Sequence, residues 1–71
     1  MNYKSGHFLE VVDLHGDSEI RDRIRELGIN QGLRLKFIRQ TPFGGPILFQ
    51  TPSTLLALRE EELACLILKA L

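Results

Sequence analysis

Three side chains in this chain of 71 residues could ligate a soft metal or act as a nucleophile: His7, His15 and Cys65. A transition-metal site needs such groups at spacings that let them converge. His7 and His15 stand eight positions apart across a stretch that reads as a strand, which matches neither Cys-x2-Cys nor His-x3-His. Cys65 lies far downstream in an apolar run, where a free thiol behaves as a small buried hydrophobe. His15 reads as a turn residue. Covalent catalysis finds no better footing. There is no Gly-x-Ser-x-Gly elbow, and a pair of Cys65 with either histidine has no third group to orient it. Gly44-Gly45 lacks the Lys-Ser/Thr that completes a phosphate cradle and opens onto a strand rather than a helix. The residues therefore assign no catalytic, cofactor-binding or metal-ligating position, and the chain reads as a non-enzyme.

Charge is the next place to look for a partner. Nine basic and nine acidic side chains cancel to a net charge of +0. Nucleic-acid binding draws much of its affinity from phosphate neutralisation and shows as a basic excess or stripe. The excess is absent, so no nucleic-acid partner is expected. Arg21, Arg23 and Arg25 fan out at about 100° per residue on a helix, which puts Arg21 and Arg25 on one side with Asp22 and Glu26 diluting them. Glu60-Glu61-Glu62 reads as a solvated turn, although it has the composition of an acidic docking patch.

These groups must sit on a small scaffold. The length allows one domain with a thin core, because a chain this short buries only about 60% of the surface it exposes when unfolded. A single cysteine excludes an internal disulfide and points to the cytosol. No stretch reaches the roughly 18 apolar residues of a membrane span, and the N-terminus has no apolar signal core, so no direct membrane insertion is expected.

Periodicity supplies the elements. Residues 1–5 look loose. Phe8 to Leu14 is short and rich in β-branched and aromatic residues, a first strand. Ser18 to Leu27 is a helix, with Ile20, Ile24 and Leu27 on one apolar stripe and Asp17 or Ser18 as the cap. Gly28 should end it in a left-handed conformation, with Ile29 folding back on Ile24. Glu19 and Arg23 form a favourable i, i+4 pair. Leu33, Leu35 and Phe37 alternate with Arg34, Lys36 and Ile38 as a second strand. Thr41 to Pro46 is a tight loop, Ile47 to Gln50 a returning strand, Leu55 to Arg59 a fourth, Glu60 to Glu62 a helical turn and Cys65 to Lys69 a fifth. The order β-α-β-β-β-β with short links predicts a mainly β chain: a small antiparallel barrel of about five strands with one α-helix after the first, over residues 1–71 as a single domain.

Three stretches in this order also resemble a known family. They are Ile24-Arg25-Glu26-Leu27-Gly28-Ile29 followed by Gly32, then Thr41-Pro42-Phe43-Gly44-Gly45-Pro46-Ile47, then Leu56-Ala57-Leu58-Arg59 with Glu61-Glu62 just after. Together, over residues 6–69, they resemble the FeoA family. One departure is Tyr3-Lys4-Ser5-Gly6 where the family has an apolar segment ahead of Pro-Gly, which implies an abbreviated N-terminal edge. The resemblance implies an SH3-like barrel in the cytoplasm that assists the membrane GTPase-permease FeoB in ferrous iron uptake by docking on its cytoplasmic part. Two other readings stand beside it: the regulatory C-terminal domain of DtxR-type metal-dependent repressors, and a nucleic-acid-binding small barrel using Arg34, Lys36 and Arg39. A start at Met with no DNA-binding domain favours the transport accessory. Direct binding of ferrous iron through His7 and His15 is a third reading, and pairing between copies through barrel edges stays open. The residues to which docking is assigned are Pro42, Phe43, Gly44, Gly45 and Pro46, with Phe43 as an exposed aromatic anchor or as a lid folded over the barrel end, and Arg21 and Arg25 on the helix.

Overall fold

The structure is a computed structural model and describes residues 3–71. Chain order is β1 (Phe8–Leu14), α1 (Ser18–Glu26), β2 (Arg34–Gln40), β3 (Ile47–Gln50), β4 (Leu55–Leu58), α2 (Glu60–Leu63) and β5 (Leu66–Ala70). The strands form one antiparallel sheet in the order β4-β3-β2-β1-β5.

Two bulges curl this sheet. On β1 the register against β5 slips between Val11 and Asp13, so Val12 is an extra residue and turns outward. On β2 the register against β3 slips between Phe37 and Arg39, with Ile38 as the extra residue. A bulge bends its strand and steepens the local twist. The two central strands therefore fold the sheet around its own apolar face. Leu9, Val11 and Leu14 of β1, Leu35 and Phe37 of β2, Ile47 and Phe49 of β3, Leu56 and Leu58 of β4 and Leu66 of β5 share a single core. Phe37 and Phe49 meet edge to face at 5.9 Å, a favoured arrangement for aromatic quadrupoles.

Helix α1 closes this core. The Asp17 carboxylate accepts the amide of Ile20 at 3.0 Å, so Asp17 is the cap. At the other end the Ile29 amide donates to the Ile24 carbonyl at 3.3 Å and the Gly28 amide to the Arg25 carbonyl at 2.9 Å. That pair of bonds is a Schellman ending, with Gly28 at φ +89° and Ile24 and Ile29 both fully buried. Alanine at Gly28 would have to hold the left-handed conformation, so Gly28→Ala is expected to lower the unfolding free energy by about 1–2 kcal/mol. Urea denaturation measures it as a lower midpoint at unchanged slope.

Four details depart from the sequence reading. Leu27 is 40% exposed and does not continue the stripe. The helix has ended by then, and Ile29 takes the core position beyond the turn. Tyr3 is not loose: its ring lies 6.1 Å from Phe37 and it packs against the core, while Gly6 donates to the Phe37 carbonyl at 2.7 Å. Met1 and Asn2 lie outside the described residues. The ion pair on α1 joins Asp22 to Arg25 at 3.4 Å in place of Glu19 and Arg23, and both partners are exposed. Finally, the acidic run has a structural task at Glu62, whose carboxylate accepts the Arg59 amide at 2.9 Å and so closes the start of α2.

Candidate functional site

The Thr41–Pro46 loop joins β2 to β3 and is drawn shut at its neck. The Thr41 amide and hydroxyl both donate to the Pro46 carbonyl, at 3.2 and 2.6 Å. Inside the neck the Gly45 amide donates to the Pro42 carbonyl at 3.3 Å. A Cβ on Gly45 would collide with the Thr41 hydroxyl, so the clamp requires the bare backbone there. At the tip the chain turns through Phe43 at φ +60° and Gly44 at φ +71°.

A left-handed backbone is ordinary for glycine and rare for a bulky aromatic. Phe43 adopts it, and its side chain stands fully exposed to solvent. The lid alternative is thereby ruled out: the ring covers none of the core. Burial of the ring does not hold this conformation in place. The clamped neck and the flanking Pro42 and Pro46 do, by leaving the tip few other paths.

The arginines of α1 are not equivalent. Arg25 is exposed and held by Asp22. Arg21 is half-buried, and its Nε is out of contact with water with no hydrogen-bond partner among the described residues. The stem of Arg21 therefore contributes packing as well as charge. Neither arginine reads as a free positive tooth.

The outer sheet face joins Arg34 and Lys36, two residues of the nucleic-acid reading, to Phe8 and Leu71, which the sequence reading did not single out. Phe8 of β1 is 51% exposed and sits across from Lys36 of β2, whose Nζ lies 5.9 Å from the ring centre. With Arg34 and Leu71 it lines a groove of about 340 Å³. Arg34 shares this face with Glu10, 3.8 Å from its Nε. The outward phase of Phe8 on β1 was the available signal; its meeting with Leu71 depends on the β1–β5 pairing, which periodicity does not reveal.

The metal-type side chains do not converge. His15 is exposed in the turn before α1, and its amide donates to the Cys65 carbonyl at 2.8 Å. His7 is half-buried beside Tyr3, ring centres 5.8 Å apart. Cys65 is buried, its thiol 3.4 Å from the Glu61 carbonyl. Among the described residues no group of three His, Cys, Asp or Glu side chains could hold a metal ion. Among them, too, no helix is long and apolar enough to cross a membrane.

Several solved structures share this fold. The FeoA protein from Chlorobium tepidum is 30% identical, with a TM-score of 0.81 over 99% of this chain and 67% of that one. Stenotrophomonas maltophilia FeoA, described as a procaryotic SH3 domain protein, is 32% identical, with a TM-score of 0.64 over 89% of this chain and 80% of that one. The manganese regulator SloR superposes at a TM-score of 0.83 over 99% of this chain and 33% of that one, but at 7% identity it shares the fold alone. No curated protein matches the chain. The FeoA domain model matches residues 1–70, and with the SH3-like architecture of the sheet and its capping helix this places the chain in the FeoA family.

Proposed function

We propose that this chain is a non-catalytic accessory of ferrous iron transport, acting in the cytoplasm by docking on the cytoplasmic part of a FeoB-type membrane GTPase-permease. Membership of the FeoA family supports the process. The Stenotrophomonas maltophilia relative is itself described as a candidate bacterial ferrous iron transport activating factor. The observation that carries docking is Phe43, an aromatic held in a strained conformation and fully exposed. Backbone strain of this kind costs about 1–3 kcal/mol and persists where it serves a site. Exposed aromatics are preferred anchors because burying the ring on a partner's surface yields a large gain for few frozen torsions.

In this reading Phe43 inserts into an apolar pocket of the partner. Pro42, Gly44, Gly45 and Pro46 hold it at the tip of a stiff loop, so little ordering cost is added on binding. Arg21 and Arg25 on α1 offer a second, weaker contact, screened by Asp22. The reading is tested by passing the protein over the immobilised cytoplasmic region of the transporter. Retention of the wild type is expected, and its failure to bind would sink the proposal. The regulator reading is not advanced, since its support is a shared fold at 7% identity.

A further inference from the structure

Strand β4 forms one edge of the sheet: among the described residues it pairs with β3 and with no second strand. Its composition is unusual for an edge. Leu55-Leu56-Ala57-Leu58 carries no charge, no proline and no bulge, the devices that keep edges from pairing. The opposite edge, β5, carries Lys69.

The hairpin between β3 and β4 determines which backbone groups face outward. The Thr51 amide donates to the Thr54 carbonyl at 2.8 Å, closing the turn with a bonded pair. The Thr51 hydroxyl accepts the Ser53 and Thr54 amides at 3.2 and 3.0 Å and is itself bonded to the Thr54 carbonyl, so the turn is stiff. Bonded and non-bonded pairs alternate along an antiparallel ladder. From Thr51 and Thr54, the pair Gln50 and Leu55 is therefore non-bonded, Phe49 and Leu56 bonded, Leu48 and Ala57 non-bonded, and Ile47 and Leu58 bonded. The amides and carbonyls of Leu55 and Ala57 point away from β3. Among the described residues the sole hydrogen bond to any of these groups is that of the Thr54 hydroxyl on the Leu55 carbonyl, at 3.4 Å.

We propose that this edge binds a second copy of the same chain, the two β4 strands pairing antiparallel about a two-fold axis at Leu56. In that register Leu55 of each copy stands opposite Ala57 of the other, and every outward amide of both strands meets an outward carbonyl. Side-chain sizes agree. Leu55 is 56% exposed on the outer face, and the residue across from it is the small Ala57, which leaves room for it. On the inner face Leu56 meets Leu56 and extends the two cores toward each other. Arg59 lies opposite Ser53 of the second copy, so the flanking charges do not meet. An arbitrary extended peptide would satisfy the backbone groups but would bring this large-against-small match only by chance.

Sedimentation velocity from micromolar to millimolar protein tests the pairing, together with amide exchange read residue by residue. A monomer–dimer equilibrium is expected. The Leu55 and Ala57 amides should slow by about tenfold or more as concentration rises, whereas those of Leu56 and Leu58, already bonded to β3, should not respond. Ala57→Pro removes one outward donor at an edge position where proline is tolerated, and should abolish both effects with the circular dichroism spectrum retained. Leu55→Lys should do the same by placing a charge on the edge, and covers the case in which the proline variant fails to fold. A protein that stays monomeric at millimolar concentration with fast exchange at Leu55 and Ala57 would overturn the proposal. So would a dimer that neither substitution weakens, or protection of these amides that appears only on adding a transporter strand.

Discussion

Replacing Phe43 by glycine is expected to make the protein more stable and to weaken its hold on the proposed partner at least about 30-fold. The two effects come from the same residue and have opposite signs. Glycine adopts φ near +60° at no steric cost, so Phe43→Gly removes the strain of the left-handed conformation and is expected to raise the unfolding free energy by about 0.5–1 kcal/mol. No packing is lost in exchange, because the ring is fully exposed. In the proposed docking mode, binding loses its anchor. Truncating a hot-spot aromatic costs about 2 kcal/mol or more, which is about 30-fold in dissociation constant. Thermal denaturation and calorimetric titration with the transporter's cytoplasmic region read the two effects separately. A variant that gains stability and binds unchanged would remove Phe43 from the interface. Loss of stability instead would mean that the ring has a packing role absent from this structure.

The second large effect lies in the core. Phe49 is fully buried on β3, opposite Phe37, and the two rings meet edge to face. Phe49→Ala removes the ring and leaves a cavity that a curled single sheet closes poorly, for an expected loss of about 3–5 kcal/mol. A domain of 71 residues has only about 4–10 kcal/mol in total. The variant should therefore show no cooperative unfolding transition near 37 °C, or a midpoint lowered by at least about 15 °C. Phe8→Ala is the control. Phe8 lies two strands away on the outer face and is half exposed, so its loss should cost less than about 1 kcal/mol. Equal losses at the two positions would contradict the inside-outside assignment of the strands.

The parts of this fold that sequence reasoning reaches are those with local causes. Leu35 and Phe37 alternate with charged neighbours, and β2 follows. Asp17 and Gly28 bracket the apolar stripe, and α1 begins and ends beside them. The failures have non-local causes. A bulge inserts one residue and resets the alternation, so Leu14 faces in three positions after Val11, where strict alternation would turn it out. Leu27 fits a stripe counted along a helix, but it is the last residue before the chain reverses at Gly28, and Ile29 returns to take the core position in its place. In the candidate site, Pro-Phe-Gly-Gly-Pro announces a tight loop and leaves two places for the ring. The choice is made by the Thr41 clamp, which joins residues across the loop neck. The groove at Phe8, Arg34 and Leu71 is beyond any local pattern, because it assembles from β1, β2 and the chain end.

The lone thiol has a practical consequence. Cys65 is buried against the core, with its sulfur turned to the Glu61 carbonyl. The residue is 9% exposed and its sulfur also packs beside Gly16 of the turn before α1, so a maleimide reaches it freely only when this corner of the fold opens. Labelling of the unmodified protein is thus a clock for that opening, and its rate should fall with each substitution that stabilises the fold and rise with each that weakens it. The protein comes with its own stopwatch for conformational opening, readable by mass spectrometry in a crude lysate without purification or an added tag.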